Sequence, residues 1–537
     1  MAHLFVLKRV IGTCYYADYS KVKGMIVTMK RYIRRFSDDF SRICQKNREE
    51  IMIIYDTGFQ VTCYSYEKVE QYVYRYLELF KENGLKPGDA ILSLVPNSAE
   101  SIICFFAVLK GGYAFAPLPC YATEREVEKW TNIIKPKLII KKKEISLPDC
   151  VENSYRVISI NCNGDLEWLP KNTGHLLESK SGTLYLFTSG TTGVPKAMVI
   201  DGDTLWSSGC LFMKHYNMQK SKCRFWNYLP MSYLGGLYNL ALIPVSCGGS
   251  FLITEPFSGK TILNFWNNVK KYEITALWFV PTIINGLLKI SKMFGNNYRD
   301  YCKKNLKIAL IGTAPITREI KEDFEKELGV NMYENYALSE TTFITGENED
   351  IICYREQSSV GEFLPYVDYE LRKYEDADNI FELWIKTPFM FRGYLNEDGK
   401  VDDLLDEKSF LNTKDLVRIS KNGQVIVVGR DRDIIKKGGM FVSLKEIECL
   451  VKNLDYIQEV ATIPINHDFY GESYLLCIVL KDQNRGDEEV TARLKLWLVD
   501  NVVQYKQPEA IKIYKEFPYT GSGKIKKGEL RKQYEHQ

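Results

Sequence analysis

Leu186–Ile200 reads LFTSGTTGVPKAMVI, an apolar run that enters a loop of Thr188, Ser189, Gly190, Thr191, Thr192 and Gly193 before Pro195 and Lys196. Small hydroxyl donors, backbone N–H groups laid open by glycine and one lysine are what a polyphosphate cradle requires. The spacing GxxxxGK[ST] is missing, so the usual P-loop nucleoside triphosphatase fold does not follow. SGTTG alone also fits an ordinary surface turn, and the rest of the chain has to decide between the two.

Outward from this loop the chain alternates strand-like and helical stretches. MIIYD and AILSLV read as strands, while YEKVEQYVYRYLELFKENG spaces its apolar residues for a helix that stops at Gly84. LKIALIG reads as a buried strand, followed by TREIKEDFEKELG, a charged amphipathic helix closed by glycine. Such alternation favours parallel sheets with helices on their faces. After Phe381 the texture changes: FELWIKTP and GQVIVVGR are short, β-rich and separated by turn residues such as Asn422-Gly423. Beyond Arg430 come SLKEIECLVKNL (helix), EVATIPI and YLLCIVL (strands) and EVTARLKLWLVDNV (helix).

The expected fold class is therefore α/β. A large N-terminal domain (31–430) carries mixed and parallel sheets flanked by helices, plus a small β-rich subdomain. A small, mobile α+β C-terminal domain follows at 431–537, and residues 1–30 form an unassigned basic extension.

Composition narrows the function. The chain has 537 residues, too long for one core, with 45% hydrophobic and 26% charged residues. Lys and Arg number 71 against 68 Asp and Glu, so a net charge of +3 gives no chain-wide reason to expect nucleic acid. The most apolar early stretch, Ile102 to Leu109, falls far short of the ~20 residues of a membrane span and reads as a buried helix. MAHLFVLKRV lacks the features of a secretory signal, and KQYEHQ those of an anchor, so the expected location is cytoplasmic. The 14 cysteines show no CxxC pair and are expected as reduced, mostly buried thiols. None of the five histidines stands beside a nucleophile motif.

With these blocks in view, the sequence resembles the adenylate-forming superfamily: acyl-CoA synthetases, aryl-acid ligases, luciferases and peptide-synthetase adenylation domains. TSGTTGVPK is very like that family's signature loop, and Leu85–Leu118 resembles its early strand and helix block. Gly312-Thr313-Ala314-Pro315 resembles the adenine-side loop, and Tyr336-Ala337-Leu338-Ser339-Glu340-Thr341 the YGxTE motif. FELWIKTPFMFRGYLN, Asn412-Thr413-Lys414-Asp415, GRDRDIIKKGG and Pro518–Ile525 (PYTGSGKI) follow in the family's order.

The resemblance implies roles that make chemical sense. Tyr336 would stack on adenine, Asp415 would accept the ribose hydroxyls, and Arg430 would bind the ribose or phosphate side. Glu340 would hold the Mg2+ that bridges the phosphates of ATP. Lys524 is the expected catalytic cation, because attack of a carboxylate on the α-phosphate brings two anions together. Arg432 stands at the family's hinge, and Gly438-Gly439 at the expected tunnel for the acceptor thiol. That thiol belongs to CoA or, as the rival reading, to the phosphopantetheine of an acyl or peptidyl carrier protein. A non-catalytic nucleotide-binding relative is a third reading.

Three positions depart from the pattern: Ala337 and Lys414 replace glycines, and Tyr233 replaces a common histidine. Tyr233, Gly235, Gly236 and Trp278 are the expected acyl pocket, with Phe279 and Pro281 nearby in sequence. Ser232–Leu237 offers no carboxylate to pair with an ammonium, so an aryl or aliphatic acid is expected ahead of an α-amino acid.

Overall fold

The computed structural model describes residues 32–535 apart from 172–180, 189–195, 219–221, 291–296, 313–315, 317, 357, 375–378, 397, 403, 431–432, 438–439, 468–470, 483–485, 503 and 520–524. The chain divides into two compact units. The first takes its residues from Met1–Lys222, Asn227–Glu255 and Pro388–Val401; the second takes Cys223–Trp226, Pro256–Thr387 and Asp402–Gln537.

In the first unit the strands run in the order Gly393–Leu395, Lys196–Asp201, Thr183–Thr188, Ala114–Pro117, Ala90–Leu94, Leu138–Lys142, Val157–Ile160. The last five pair in parallel and the first three antiparallel. Ile51–Asp56 pairs in parallel with Ser250–Ile253 and antiparallel with Val61–Ser65.

The helix Ala99–Gly111 is buried along its whole length, as its nearly uninterrupted apolar run requires. Each fully buried Ile or Phe on it contributes ~2 kcal/mol of transfer free energy. The helix Tyr66–Glu82 starts on Ser65, whose hydroxyl accepts from the Lys68 N–H, and ends before Gly84 at φ +74°. Gly182 has no room for a side chain: a Cβ there would lie 2.6 Å from Leu109 Cα.

In the second unit a sheet runs Glu362–Phe363, Thr342–Gly346, Tyr333–Leu338, Ile308–Ile311, Ala276–Phe279, and Ala276 pairs with Phe225 beyond it. A four-stranded antiparallel sheet follows, ordered Asp368–Lys373, Phe381–Lys386, Leu411–Ile419, Val425–Arg430. The C-terminal part builds a further sheet around Gly471–Leu480 and Ile457–His467, with Ala510–Tyr514 added in parallel. YLLCIVL is apolar throughout because both its faces are covered. Tyr474, Leu476 and Ile478 enter one core with the helices Leu444–Lys452 and Asp487–Asn501, while Leu475, Cys477 and Val479 enter another with Phe517 and Leu530.

The mixed α/β class therefore stands as expected. The cysteines are all free among the described residues, but only Cys44, Cys104, Cys223, Cys302 and Cys477 are fully buried. Cys63, Cys150 and Cys353 lie exposed on a hairpin strand, a short helix and a 3-10 turn, where no core packs over them.

Candidate functional site

The glycine-rich loop hangs from an antiparallel pair in which Thr188 lies opposite Lys196. That pairing brings the two ends of the loop together at one end of the sheet. Ser189, Gly190, Thr191, Thr192 and Gly193 themselves lie outside the described residues. Lys196 is exposed, with its ammonium 5.5 Å from the centre of the Tyr394 ring, a cation–π contact to the strand Gly393–Leu395. Just before that strand, Arg392 forms an ion pair with Asp201, the last residue of the strand Lys196–Asp201.

In the second unit the structure brings together three residues that the sequence spreads over almost a hundred positions. Tyr336 donates its hydroxyl to Asp415 Oδ2, and Arg430 Nε donates to Asp415 Oδ1 at 3.1 Å. Asp415 lies directly opposite Arg430 in the strand pairing. The partner strand explains its aim: Glu382 pairs with Leu416 and Trp384 with Asn412, so Leu383 alone faces the three residues Thr413–Asp415, which arch outward. Lys414 sits at the crest with φ +60°, the left-handed region, which accounts for glycine being the residue the resemblance leads one to expect there. Asn412 Oδ1 accepts the Lys414 N–H at 2.8 Å, Thr413 Oγ1 accepts the Asp415 N–H at 3.1 Å, and the Thr413 hydroxyl donates to Leu383 O at 2.7 Å.

The electrostatics follow from burial. Asp415 is 4% exposed; desolvation pushes its carboxyl above the usual range, and Arg430 and Tyr336 oppose that shift. The Tyr336 phenol is raised well above its ordinary value by burial and then by Asp415. Glu340 adds its field to both Asp415 and Arg430. Glu340 stands in the turn Ser339–Thr341, where the Thr341 N–H donates to Leu338 O at 3.2 Å. Thr342, next in line, is buried and β-branched at φ +60°, a strained backbone of the kind found at functional sites. Gly312 follows the neighbouring strand Ile308–Ile311, and a Cβ on it would meet Asn335 Oδ1 at 2.8 Å, while Asn335 Nδ2 donates to Ile311 O. Ala314 and Pro315 lie outside the described residues.

Tyr233 stands in the first unit, hydrogen-bonded to Tyr121, with burial and that bond pushing its hydroxyl well up. It leads into a π-helix, Gly235–Leu242, a rare form that recurs at functional sites. The space beside Gly236 belongs to the backbone: a Cβ would lie 2.5 Å from Pro230 O and 2.6 Å from Leu229 O. Gly235 similarly faces Leu229 Cδ1 at 2.9 Å, so close packing is the physical reason for both glycines. Trp278 belongs to the second unit, buried in the strand Ala276–Phe279 and stacked on Phe343 with ring centroids 5.7 Å apart.

Arg432, Gly438, Gly439 and Lys524 lie outside the described residues. The chain on either side of 520–524 is paired, Tyr519 with Ile525, and the Lys526 N–H donates to Pro518 O at 2.8 Å. Lys527 then pairs with the buried Glu448 at 2.6 Å.

Sequence reasoning missed a buried ionic cluster under the strand that carries Tyr336. Lys321 Nζ pairs with Glu334 at 3.2 Å and Glu347 at 2.6 Å, and Arg355 pairs with Glu347 and Glu325. One signal was available. Lys321, Phe324 and Leu328 are spaced for a single helix face, and all three are buried.

Against known proteins, the description "AMP-binding enzyme" matches residues 40–395, and "AMP-binding enzyme C-terminal domain" matches residues 446–524. A probable CoA ligase of Humulus lupulus is 26% identical over 84% of this chain and 84% of its own length. An oxalate–CoA ligase of Arabidopsis thaliana is 25% identical over 84% of this chain and 89% of its own. The ATP-bound crystal structure of MatB from Rhodopseudomonas palustris superposes with a TM-score of 0.78 at 21% identity, covering 93% of this chain and 99% of that one.

Proposed function

Because the chain belongs to the AMP-binding enzyme family, we propose that it is an ATP-consuming acid–thiol ligase that makes an acyl-adenylate and then the thioester of CoA. A carboxylate oxygen attacks the α-phosphorus of ATP and pyrophosphate leaves; the CoA sulfur then attacks the acyl carbon and AMP leaves. The observation that carries this reading is the Tyr336–Asp415–Arg430 cluster, a buried carboxylate held between a phenol and a guanidinium.

In that site Asp415 accepts the ribose hydroxyls, Tyr336 lies against adenine and Arg430 takes the ribose or phosphate side. Thr188 and the loop after it, with Lys196, hold the phosphates. Lys524 supplies positive charge where the carboxylate meets the α-phosphate. A single, partly exposed carboxylate such as Glu340 fits Mg2+, which takes one or two protein carboxylates and completes its shell from substrate phosphates and water. When bound, that ion neutralises charge on the phosphates. Tyr233 borders the acid, and the lack of a carboxylate in Ser232–Leu237 favours an aryl or aliphatic acid. Arg432 serves as the hinge ahead of residues 433–537, which exchange Lys524 for Gly438-Gly439 between the two half-reactions.

The test is acid-dependent exchange of labelled pyrophosphate into ATP over a panel of aryl, aliphatic and dicarboxylic acids, followed by thioester formation with CoA. Exchange with at least one acid and a CoA thioester are expected; no exchange with any acid overturns the proposal.

A further inference from the structure

The turn that carries Tyr233 is held by a side chain 132 positions earlier in the chain. Asn97 donates from Nδ2 to Leu229 O at 2.8 Å and accepts the Met231 N–H on Oδ1 at 2.8 Å. Both ends of one amide are thus spent on two backbone groups flanking Pro230, and the residue is 7% exposed. From this geometry we infer that Asn97 is a positioning residue that sets the acid-facing turn Leu229–Tyr233 and so the acid selectivity of the ligase. The inference rests on the proposed reading in which Tyr233 borders the acid.

Asn97 is well placed to act as a fixed reference. It lies between the buried strand Ala90–Leu94 and Ser98, which caps the fully buried helix Ala99–Gly111. The turn it grips is otherwise held by its own short bonds: the Tyr233 N–H donates to Pro230 O and the Leu237 N–H to Tyr233 O, each at 3.2 Å. Asn227 Nδ2 donates to Gly236 O at 2.7 Å, and the approach of Gly236 to the carbonyls of Leu229 and Pro230 leaves no slack. A shift at Leu229–Met231 is therefore passed on to Tyr233. Alanine removes both bonds, aspartate keeps the acceptor but turns a carboxylate onto Leu229 O, and serine is too short to reach both groups. Asn97 touches no reacting atom in this account; it acts through Tyr233.

The experiment is steady-state pyrophosphate exchange by the full-length chain carrying Asn97→Ala, Asn97→Ser, Tyr233→Ala or Asn97→Ala with Tyr233→Ala, alongside thermal unfolding. Expected are a rise of about tenfold or more in KM for the best acid and a changed ranking of acids, with KM for ATP within about twofold of the parent. The double variant is expected to be no worse in acid KM than Tyr233→Ala alone. Equal shifts in both KM values, a fall in kcat alone that tracks lost folded protein, or additive effects in the double variant would overturn the inference. Should Asn97→Ala not fold, Asn97→Ser carries the same comparison. A parent chain that exchanges with no acid refutes the ligase reading itself, whereas normal parent exchange with Asn97 variants of unchanged acid ranking and acid KM refutes only this step.

Discussion

Tyr336 hydrogen-bonds Asp415 across 79 positions of sequence, with the carboxylate almost wholly removed from water. Arg430 holds the other oxygen, so the carboxylate is fixed before any ligand arrives. Preorganisation of this kind avoids reorganisation when a polar ligand binds. Four consequences can be measured.

Asp415→Ala removes the acceptor for both Tyr336 and Arg430. KM for ATP in pyrophosphate exchange is expected to rise by about tenfold to a hundredfold, the size of a lost charge-assisted bond pair. Tyr336→Phe keeps the ring and leaves Asp415 with Arg430, so its effect on KM for ATP is expected to be several times smaller. Equal effects would mean that the carboxylate does not contact the nucleotide.

Lys414 has φ +60°, where a Cβ is strained. Lys414→Gly is expected to be neutral or stabilising by up to about 1 kcal/mol, relief of strain being partly offset by greater freedom in the unfolded chain. Lys414→Val, β-branched at the same φ, is expected to destabilise by more than about 1 kcal/mol. Thermal unfolding of the two variants, ranked Gly above Val, checks this; the reverse order would place the bulge elsewhere.

Glu334 is buried, and desolvation raises its carboxyl from 4.5 to about 7 against the pull of Lys321. A carboxyl whose folded value is raised binds its proton more tightly when folded. Its contribution is therefore fully present below pH 4.5 and is lost as pH rises through about 7. Glu334→Gln is expected to lower the unfolding temperature more at pH 5 than at pH 8 relative to the parent. A pH-independent difference between the two proteins would contradict the raised value.

Lys524→Ala is expected to reduce pyrophosphate exchange by about a hundredfold or more, the typical effect of removing a preorganised charge at the transition state. Thioester formation from supplied acyl-adenylate and CoA should fall far less. Equal loss in both half-reactions would remove Lys524 from the adenylation step.

Much of the fold was legible because its signals are local. Apolar spacing and the stop at Gly84 marked the 17-residue helix Tyr66–Glu82, and the apolar run in Ala99–Gly111 announced a buried helix. The strand alternation around AILSL and IALI set the α/β class. The site was legible as an ordered set of motifs through resemblance. What escaped were features made by a partner strand or a distant backbone: the bulge that aims Asp415, the grip of Asn97 on Leu229, and the burial of Lys321 in a helix rich in charge.

By itself, the sequence determined the α/β class, many of the individual strands and helices, and the motifs to which the resemblance assigns phosphate, ribose and charge. These depend on backbone preferences and spacing within about a dozen residues. Only the tertiary structure decided that Tyr336, Asp415 and Arg430 share one cluster, that the space beside Gly236 is filled by backbone, and that burial raises the Glu334 carboxyl above its ordinary value. Register between strands and removal from water are properties of residues far apart in the chain, and neither is encoded at any single position.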